Sequence, residues 1–198
     1  MTDQTRKVLR IAKKAGVLRP RDLAAHRISR STLQRLAAKG QLERVSRGLY
    51  IVPGADVTEH HSLAEACKRV PRGVVCLLSA LRFHDLTTQA PFEVWLALNQ
   101  GAREPVAGQP PLRTVRMSGK ARTEGIEEHR IEGVTVKVYS AAKTVSDCFK
   151  FRNKLGLDVA LEALRDYLRS RGSVDELWRC AKVCRVTNVM RPYLEVLV

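Results

Sequence analysis

The chain has 198 residues, 44% of them hydrophobic, and carries 35 Lys and Arg against 20 Asp and Glu for a formal charge of +15. That length and apolar content exclude a disordered chain and leave room for one ordinary domain or two small ones. The charge favours phosphate-bearing polymers or anionic surfaces as partners, but no apolar run approaches the roughly 18 residues of a membrane span, and no secretory signal opens the sequence; cytoplasmic residence and no membrane partner are expected.

The basic excess is concentrated near the start. Residues 1–54 hold 13 basic and 3 acidic side chains, whereas residues 55–198 hold 22 and 17. Thr2 or Asp3 can cap a first helix in which Val8, Ile11, Ala12 and Ala15 recur at helical spacing before Gly16. Arg6, Lys7, Arg10, Lys13 and Lys14 fill its other positions. They suit either a solvated helix face or contact with a DNA backbone, which carries affinity and no sequence information.

A short second helix is expected from about Pro20 to Ala25, with Leu23 and Ile28 as core contacts and His26 to Ser29 as the turn. Ser29 then caps a third helix from Arg30 to Lys39. Its period puts Leu33, Leu36 and Ala37 on one face and turns Ser31, Gln34 and Arg35 away. Gly40 stops it, and the β-prone runs Leu42 to Val45 and Leu49 to Val52 flank Ser46-Arg47-Gly48. An edge ribbon of a small sheet would explain this hairpin alone. Helix, helix, helix and Arg-tipped hairpin in this order give a winged helix-turn-helix DNA-binding domain over residues 1–54.

Pro53-Gly54-Ala55-Asp56 marks the expected domain boundary. Beyond it, Ser62 to Val70 reads as a helix, Val74 to Asp85 as a buried helix, Phe92 to Leu98 as a strand and Asn99 to Pro111 as a surface loop. Leu112 to Met117, Ile126 to Ile131 and Val134 to Tyr139 are further strands, the last two joined at Glu132-Gly133. Helical periodicity follows over Ala141 to Arg152, Asp158 to Arg171, Val174 to Val186 and Val189 to Leu197, with Ser140 and Ser173 as caps. The fold class is α+β, and residues 55–198 form a C-terminal domain of mixed α and β structure, a small sheet packed by helices.

Chemistry-bearing residues are sparse. Ser79, His84 and Asp85 are types used in nucleophilic catalysis, but the spacing is short and no oxyanion-hole glycine motif accompanies them. His60, His61 and His129 are read as surface or hydrogen-bonded residues. There is no P-loop, because Lys143-Thr144 lies in a helix without the required glycines. Lys143 and Asp147, four apart, are explained by an ion pair on a helix surface, or secondarily by a partner or nucleic-acid contact of Lys143. Cys67, Cys76, Cys148, Cys180 and Cys184 are an odd set that fits free thiols. Cys180 and Cys184 could share a helix face, but apolar packing accounts for them, so neither a metal nor a cofactor is expected and no enzyme activity is assigned.

Ser31-Thr32-Leu33, Arg35-Leu36, Gly40, Leu42 and Arg47-Gly48-Leu49-Tyr50, followed by Leu78-Ser79-Ala80-Leu81 and Lys143-Thr144-Val145-Ser146-Asp147, resemble the AbiEi-like antitoxins of type IV, abortive-infection toxin-antitoxin systems. The resemblance runs over nearly the whole chain, with Lys143-Thr144 where the family more often has Arg-Thr. It implies a transcriptional repressor of its own operon, bound to double-stranded DNA at inverted repeats in the promoter, with a C-terminal domain supporting repression and antitoxicity. The implied partner is a nucleotidyltransferase toxin, opposed without a necessary stable complex. The family's reading helix falls on Ser29 to Lys39 and its wing on Arg44 to Gly48.

The residues themselves select the same side chains. Arg35 can bond guanine and Gln34 adenine; Arg30, Ser31 and Thr32 lie near the helix N-terminus for phosphates or base edges; Arg44 and Arg47 lie in the wing, with Arg47 at its tip toward flanking backbone or minor groove. Two alternatives remain at this point: an enzyme acting on nucleic acid with the winged helix as its targeting module, and a repressor whose second domain senses a small molecule.

Overall fold

The computed structural model describes residues 3–46, 48–54 and 58–197. The fold is mixed α+β, with helices at the N-terminus and a sheet in the C-terminal part. It divides into two compact units. The first comprises Met1–Pro71, Pro105–Leu112 and His129–Val136, and the second Arg72–Glu104, Arg113–Glu128 and Lys137–Val198. The break expected after residue 54 therefore falls within the first unit, and Ala55 and Asp56 of the breaker cluster lie outside the described residues.

In the first unit, α1 (Asp3–Ala15) buries Thr5, Val8 and Ala12, while Ile11 and Ala15 are half-buried at its edge. Thr2, one of its two expected caps, lies outside the described residues. The short second helix expected from about Pro20 to Ala25 is a 3-10 helix, Pro20–His26. Leu23 is its one buried side chain, so there is no apolar stripe to hold the 3.6-residue period, and Arg27 at φ 53° ends it. Then α2 (Arg30–Ala38) buries Thr32, Leu33 and Leu36.

Gly40, at φ +68°, turns the chain out of α2, and the N–H of Gln41 returns to the Leu36 carbonyl at 2.9 Å. The strands β1 (Glu43–Ser46) and β2 (Leu49–Ile51) pair antiparallel, with an irregularity between Arg44 and Ser46. Leu18 bridges to β2 from outside the hairpin by exchanging two backbone bonds with Tyr50, at 2.8 and 2.9 Å. Val8, Ala12, Leu18, Leu23, Leu33, Leu36, Leu42 and Tyr50 close one apolar core beneath helices and hairpin.

The second unit is built on a five-stranded sheet of order β5-β4-β3-β7-β6, with β3 Val74–Val75, β4 Val94–Asn99, β5 Leu112–Met117, β6 Ile126–Ile131 and β7 Val134–Tyr139. The segment His129–Val136, which is the end of β6, the turn and the start of β7, belongs to the first unit. The long buried helix expected over Val74 to Asp85 is two elements. Val74 and Val75 pair with Ala97 and Leu96 on one side, and Val75 pairs with Val138 on the other. Only after Cys76, with Leu77 at φ 49°, does α4 (Leu77–Phe83) begin. The strand expected from Phe92 starts at Val94, and Phe92 is 82% exposed.

A short helix not expected from the sequence, α5 (Lys120–Thr123), precedes β6. The remaining helices are α6 (Ala141–Lys150), α7 (Arg152–Leu155), α8 (Leu157–Arg169), α9 (Val174–Cys184) and α10 (Thr187–Leu197). Ser140 and Ser173 cap α6 and α9 by accepting the N–H of Lys143 and Glu176. Burial along α6 is nearly continuous from Ala142 to Phe149, because α4, α8 and α9 all pack against it. Lys143 and Asp147 are consequently both fully buried, where a surface ion pair was expected. The Lys143 ammonium donates to Asp147 Oδ2 at 2.5 Å and lies 4.2 Å from the centre of the Tyr139 ring. Cys184 donates its thiol to Asp147 Oδ1 at 3.2 Å.

Burial pushes the Asp147 carboxyl up, against the opposing pull of the Lys143 charge and the bonds from Lys143 and Cys184. The same burial, reinforced by Asp147, pushes the Cys184 thiol up to about 12. Truncating one member of such a pair strands a buried charge. Lys143→Met or Asp147→Leu alone is predicted to lower unfolding stability by about 3 to 5 kcal/mol, and the double variant to recover most of it. Urea unfolding of the four proteins checks this, and additive losses in the double variant would contradict it.

Candidate nucleic-acid interface

The exposed side of α2 is assembled by the helical period. Arg30, Ser31, Gln34 and Arg35 are all exposed and fall within about 140° of arc, opposite buried Leu33 and Leu36. Ser29 stands at the N-cap, as expected, but its hydroxyl makes no cap bond to a backbone N–H. It joins Ser31 Oγ at 2.8 Å and Thr32 Oγ1 at 3.2 Å. Thr32, expected near phosphates or base edges, is 5% exposed and turned into the unit. The reason is its register: at helical spacing it lies beside Leu36 on the buried side.

Arg44 is exposed on β1, across from Tyr50. Arg47 at the hairpin tip lies outside the described residues. Four of the seven expected side chains are thus brought together on α2, Arg44 is on the neighbouring hairpin, and Thr32 is withdrawn.

Two ionic clusters tie this unit together. Asp22 accepts the Arg19 N–H at 2.9 Å and the Arg19 guanidinium at 3.1 Å, and it meets the Lys68 ammonium at 2.9 Å. Lys68 lies on α3 (His61–Arg69), so Asp22 fastens the 3-10 helix to α3. Glu132, in the β6-β7 turn, accepts bonds from the Thr58 N–H at 2.7 Å, the Thr58 hydroxyl at 2.9 Å and His61 Nδ1 at 2.6 Å. His61 was expected to be surface or hydrogen-bonded, and it is the latter. Arg69 completes the fastening by donating to the Gln109 and Pro110 carbonyls, both at 2.7 Å.

Sequence reasoning missed Glu132 as a structural ligand, since its partners stand 71 to 74 positions away. Gly16 and Gly133 were the available signal. A Cβ on Gly133 would come within 2.6 Å of the Lys14 carbonyl oxygen, and one on Gly16 would collide with that of Glu132. These glycines let the end of α1 and the turn approach backbone to backbone.

The residues considered for catalysis are occupied structurally. Ser79 Oγ accepts the Trp95 N–H at 2.9 Å and donates to the Glu93 carbonyl, while His84 Nε2 lies 2.8 Å from the Tyr139 carbonyl. The five cysteines are buried free thiols. Among the described residues no group of three or more His, Cys, Asp or Glu could hold a metal, and no helix is long and apolar enough to cross a membrane.

Residues 6–53 match the family model described as transcriptional regulator, AbiEi antitoxin. This segment is AbiEi-like. The match covers α1, the 3-10 helix, α2 and the hairpin, the elements that carry the exposed α2 face, and it supports a general role as an antitoxin regulator. No match was found among curated proteins.

The two acceptors of these clusters, Asp22 and Glu132, both have lowered carboxyl pKa values. Partial burial favours neutral Asp22 and Glu132, but bonds from Lys68 and Arg19 to the first, and from His61 and Thr58 to the second, outweigh it and hold both below their ordinary values of 3.8 and 4.5. Their contribution is fully present above those ordinary values and is lost as pH falls through the lower folded-state values. Thermal melting from about pH 7 to about pH 3 is predicted to show a decline confined to the acid end, and Glu132→Gln to flatten it. An unchanged profile in that variant would contradict the assignment.

Proposed function

We propose that the AbiEi-like segment is a winged helix-turn-helix over residues 1–54, and that the protein is a DNA-binding transcriptional repressor and antitoxin. The observation that carries this reading is the exposed polar face of α2, set on a helix-turn-helix-hairpin order within the matched segment. In this reading Arg35 bonds guanine O6 and N7, Gln34 bonds adenine, and Arg30 and Ser31 meet phosphates or base edges near the start of α2. Thr32 supports them from beneath by holding Ser29. Arg44 and Arg47 belong to the wing and reach the flanking backbone or minor groove.

The operator is double-stranded DNA at inverted repeats in the protein's own promoter, so that the protein limits its own synthesis. The antitoxin role places it in a type IV system, opposing a nucleotidyltransferase toxin without requiring a lasting complex. The concentration of positive charge in residues 1–54 supports the DNA assignment.

Fluorescence anisotropy of the full chain with DNA from directly upstream of its gene, against a scrambled duplex, tests the reading. The expected result is a preference of about 10³ or more for the upstream DNA. Arg35→Ala is expected to cost roughly 1 to 3 kcal/mol on that DNA and to relax base preference at one position. Equal binding of both duplexes that vanishes with salt would overturn sequence reading, and full operator affinity in Arg35→Ala would overturn the placement of α2.

A further inference from the structure

The α2 face leaves a second basic surface of the same unit unused. On α1, Arg6, Lys7, Arg10, Lys13 and Lys14 are all exposed, and at 100° per residue they fall within about 120° of arc, opposite buried Thr5, Val8 and Ala12. Among the described residues none of the five has an ion-pair partner. The helix carries one acidic residue, Asp3 in its first turn, which lies on the same side one turn before Arg6 and Lys7 and leaves Arg10, Lys13 and Lys14 with no acidic neighbour on the helix.

Stability does not explain this clustering. Arg6 with Arg10 and Arg10 with Lys14 are like charges at i,i+4, and Lys7 with Arg10 and Arg10 with Lys13 are like charges at i,i+3. Each such pair costs an isolated helix a few tenths of a kcal/mol. A solvated face built for helix stability alternates sign; this one repeats it. What offsets the repulsion is a polyanion. The arc runs about 12 Å along the axis from Arg6 to Lys14, a length over which one DNA strand carries roughly three or four phosphates. Val8 and Ala12 anchor α1 in the core that also holds Leu33 and Leu36 of α2, so both helices are carried by one body.

We infer that α1 is a second DNA surface, its five cations engaging duplex phosphates without reading bases, beside the sequence-reading face of α2. This rests on the DNA-binding reading above and deepens it. Affinity then has two separable parts: a salt-sensitive, sequence-blind part from α1 and a base-dependent part from α2.

The test compares wild type, the quadruple variant Lys7→Gln, Arg10→Gln, Lys13→Gln and Lys14→Gln, and Arg35→Ala, each as the full chain. Anisotropy titrations on the upstream and scrambled duplexes are run over several salt concentrations, and thermal melting checks that the variants fold. The quadruple variant is expected to lose affinity on the order of tenfold or more for both duplexes alike, with the slope of log affinity against log salt shallower by about three, while its preference between them is unchanged. Arg35→Ala is expected to change the preference and to leave most of the slope.

Wild-type affinity and slope in a folded quadruple variant would overturn the inference, as would a loss confined to the upstream duplex. If the slope changes only with an RNA hairpin as ligand, the occupant is RNA and the duplex assignment falls. If wild type binds both duplexes equally and the quadruple variant binds neither, operator reading fails while the α1 surface stands. If wild type binds no duplex, both fail.

Discussion

A lysine and an aspartate with no exposure to water organise the second unit. Removing Lys143 and Asp147 from solvent carries a desolvation cost of several kcal/mol per ion, so the pair is tolerable only where its remaining hydrogen-bonding capacity is filled. The surroundings are arranged to do this. Tyr139 presents its ring to the ammonium, Cys184 donates to the second carboxylate oxygen, and Ser140 caps the helix that carries both charges. Gly125, at φ +69°, leaves the space that Lys143 occupies, since a Cβ there would come within 2.8 Å of the lysine Cβ. The strand β7, the helix α6 and the helix α9 must therefore meet in one register for the charges to be satisfied.

This constraint changes the meaning of Lys143-Thr144-Val145-Ser146-Asp147. As a string it invites a functional reading, with a lysine free to reach a partner. In the folded chain every one of these residues is fully buried. Thr144 bonds the Tyr139 carbonyl and Ser146 the Ala142 carbonyl, so the segment is a polar core that specifies packing. A lysine in this place supplies one compact charge, which the single oxygen Asp147 Oδ2 and the Tyr139 ring face can satisfy.

The first unit obeys a different economy. Its core is small, its elements are short, and its positive charge lies outside, on α1, α2 and the hairpin. Much of its cohesion comes from residues far along the chain. Glu132 returns to Thr58 and His61, the carbonyls of Gln109 and Pro110 return to Arg69, and Asp22 joins the 3-10 helix to α3. The matched segment ends at residue 53, yet the compact unit does not, so a fragment cut there would lose all three fastenings. The likeness to a regulator family lies in that segment, and the base-reading and phosphate-binding faces proposed for it are both carried on its helices.

Much of the architecture follows from short-range pattern. The helical periods of α1 and α2, the stop at Gly40, the hairpin after it and the strands β5, β6 and β7 occur where the sequence places them, because turn residues and side-chain period act within a few positions. The exposure of Arg30, Ser31, Gln34 and Arg35 was legible for the same reason. The tertiary structure alone decided the rest. Val74 and Val75 are a strand because Ala97, Leu96 and Val138 are there to pair with them, and no local period separates that from the start of a helix. Thr32 turns inward, Glu132 binds residues more than seventy positions away, and Lys143 and Asp147 pass from a presumed surface to the core. Period and propensity are properties of neighbours in sequence, whereas burial and the pairing of charges depend on which distant elements arrive to cover them.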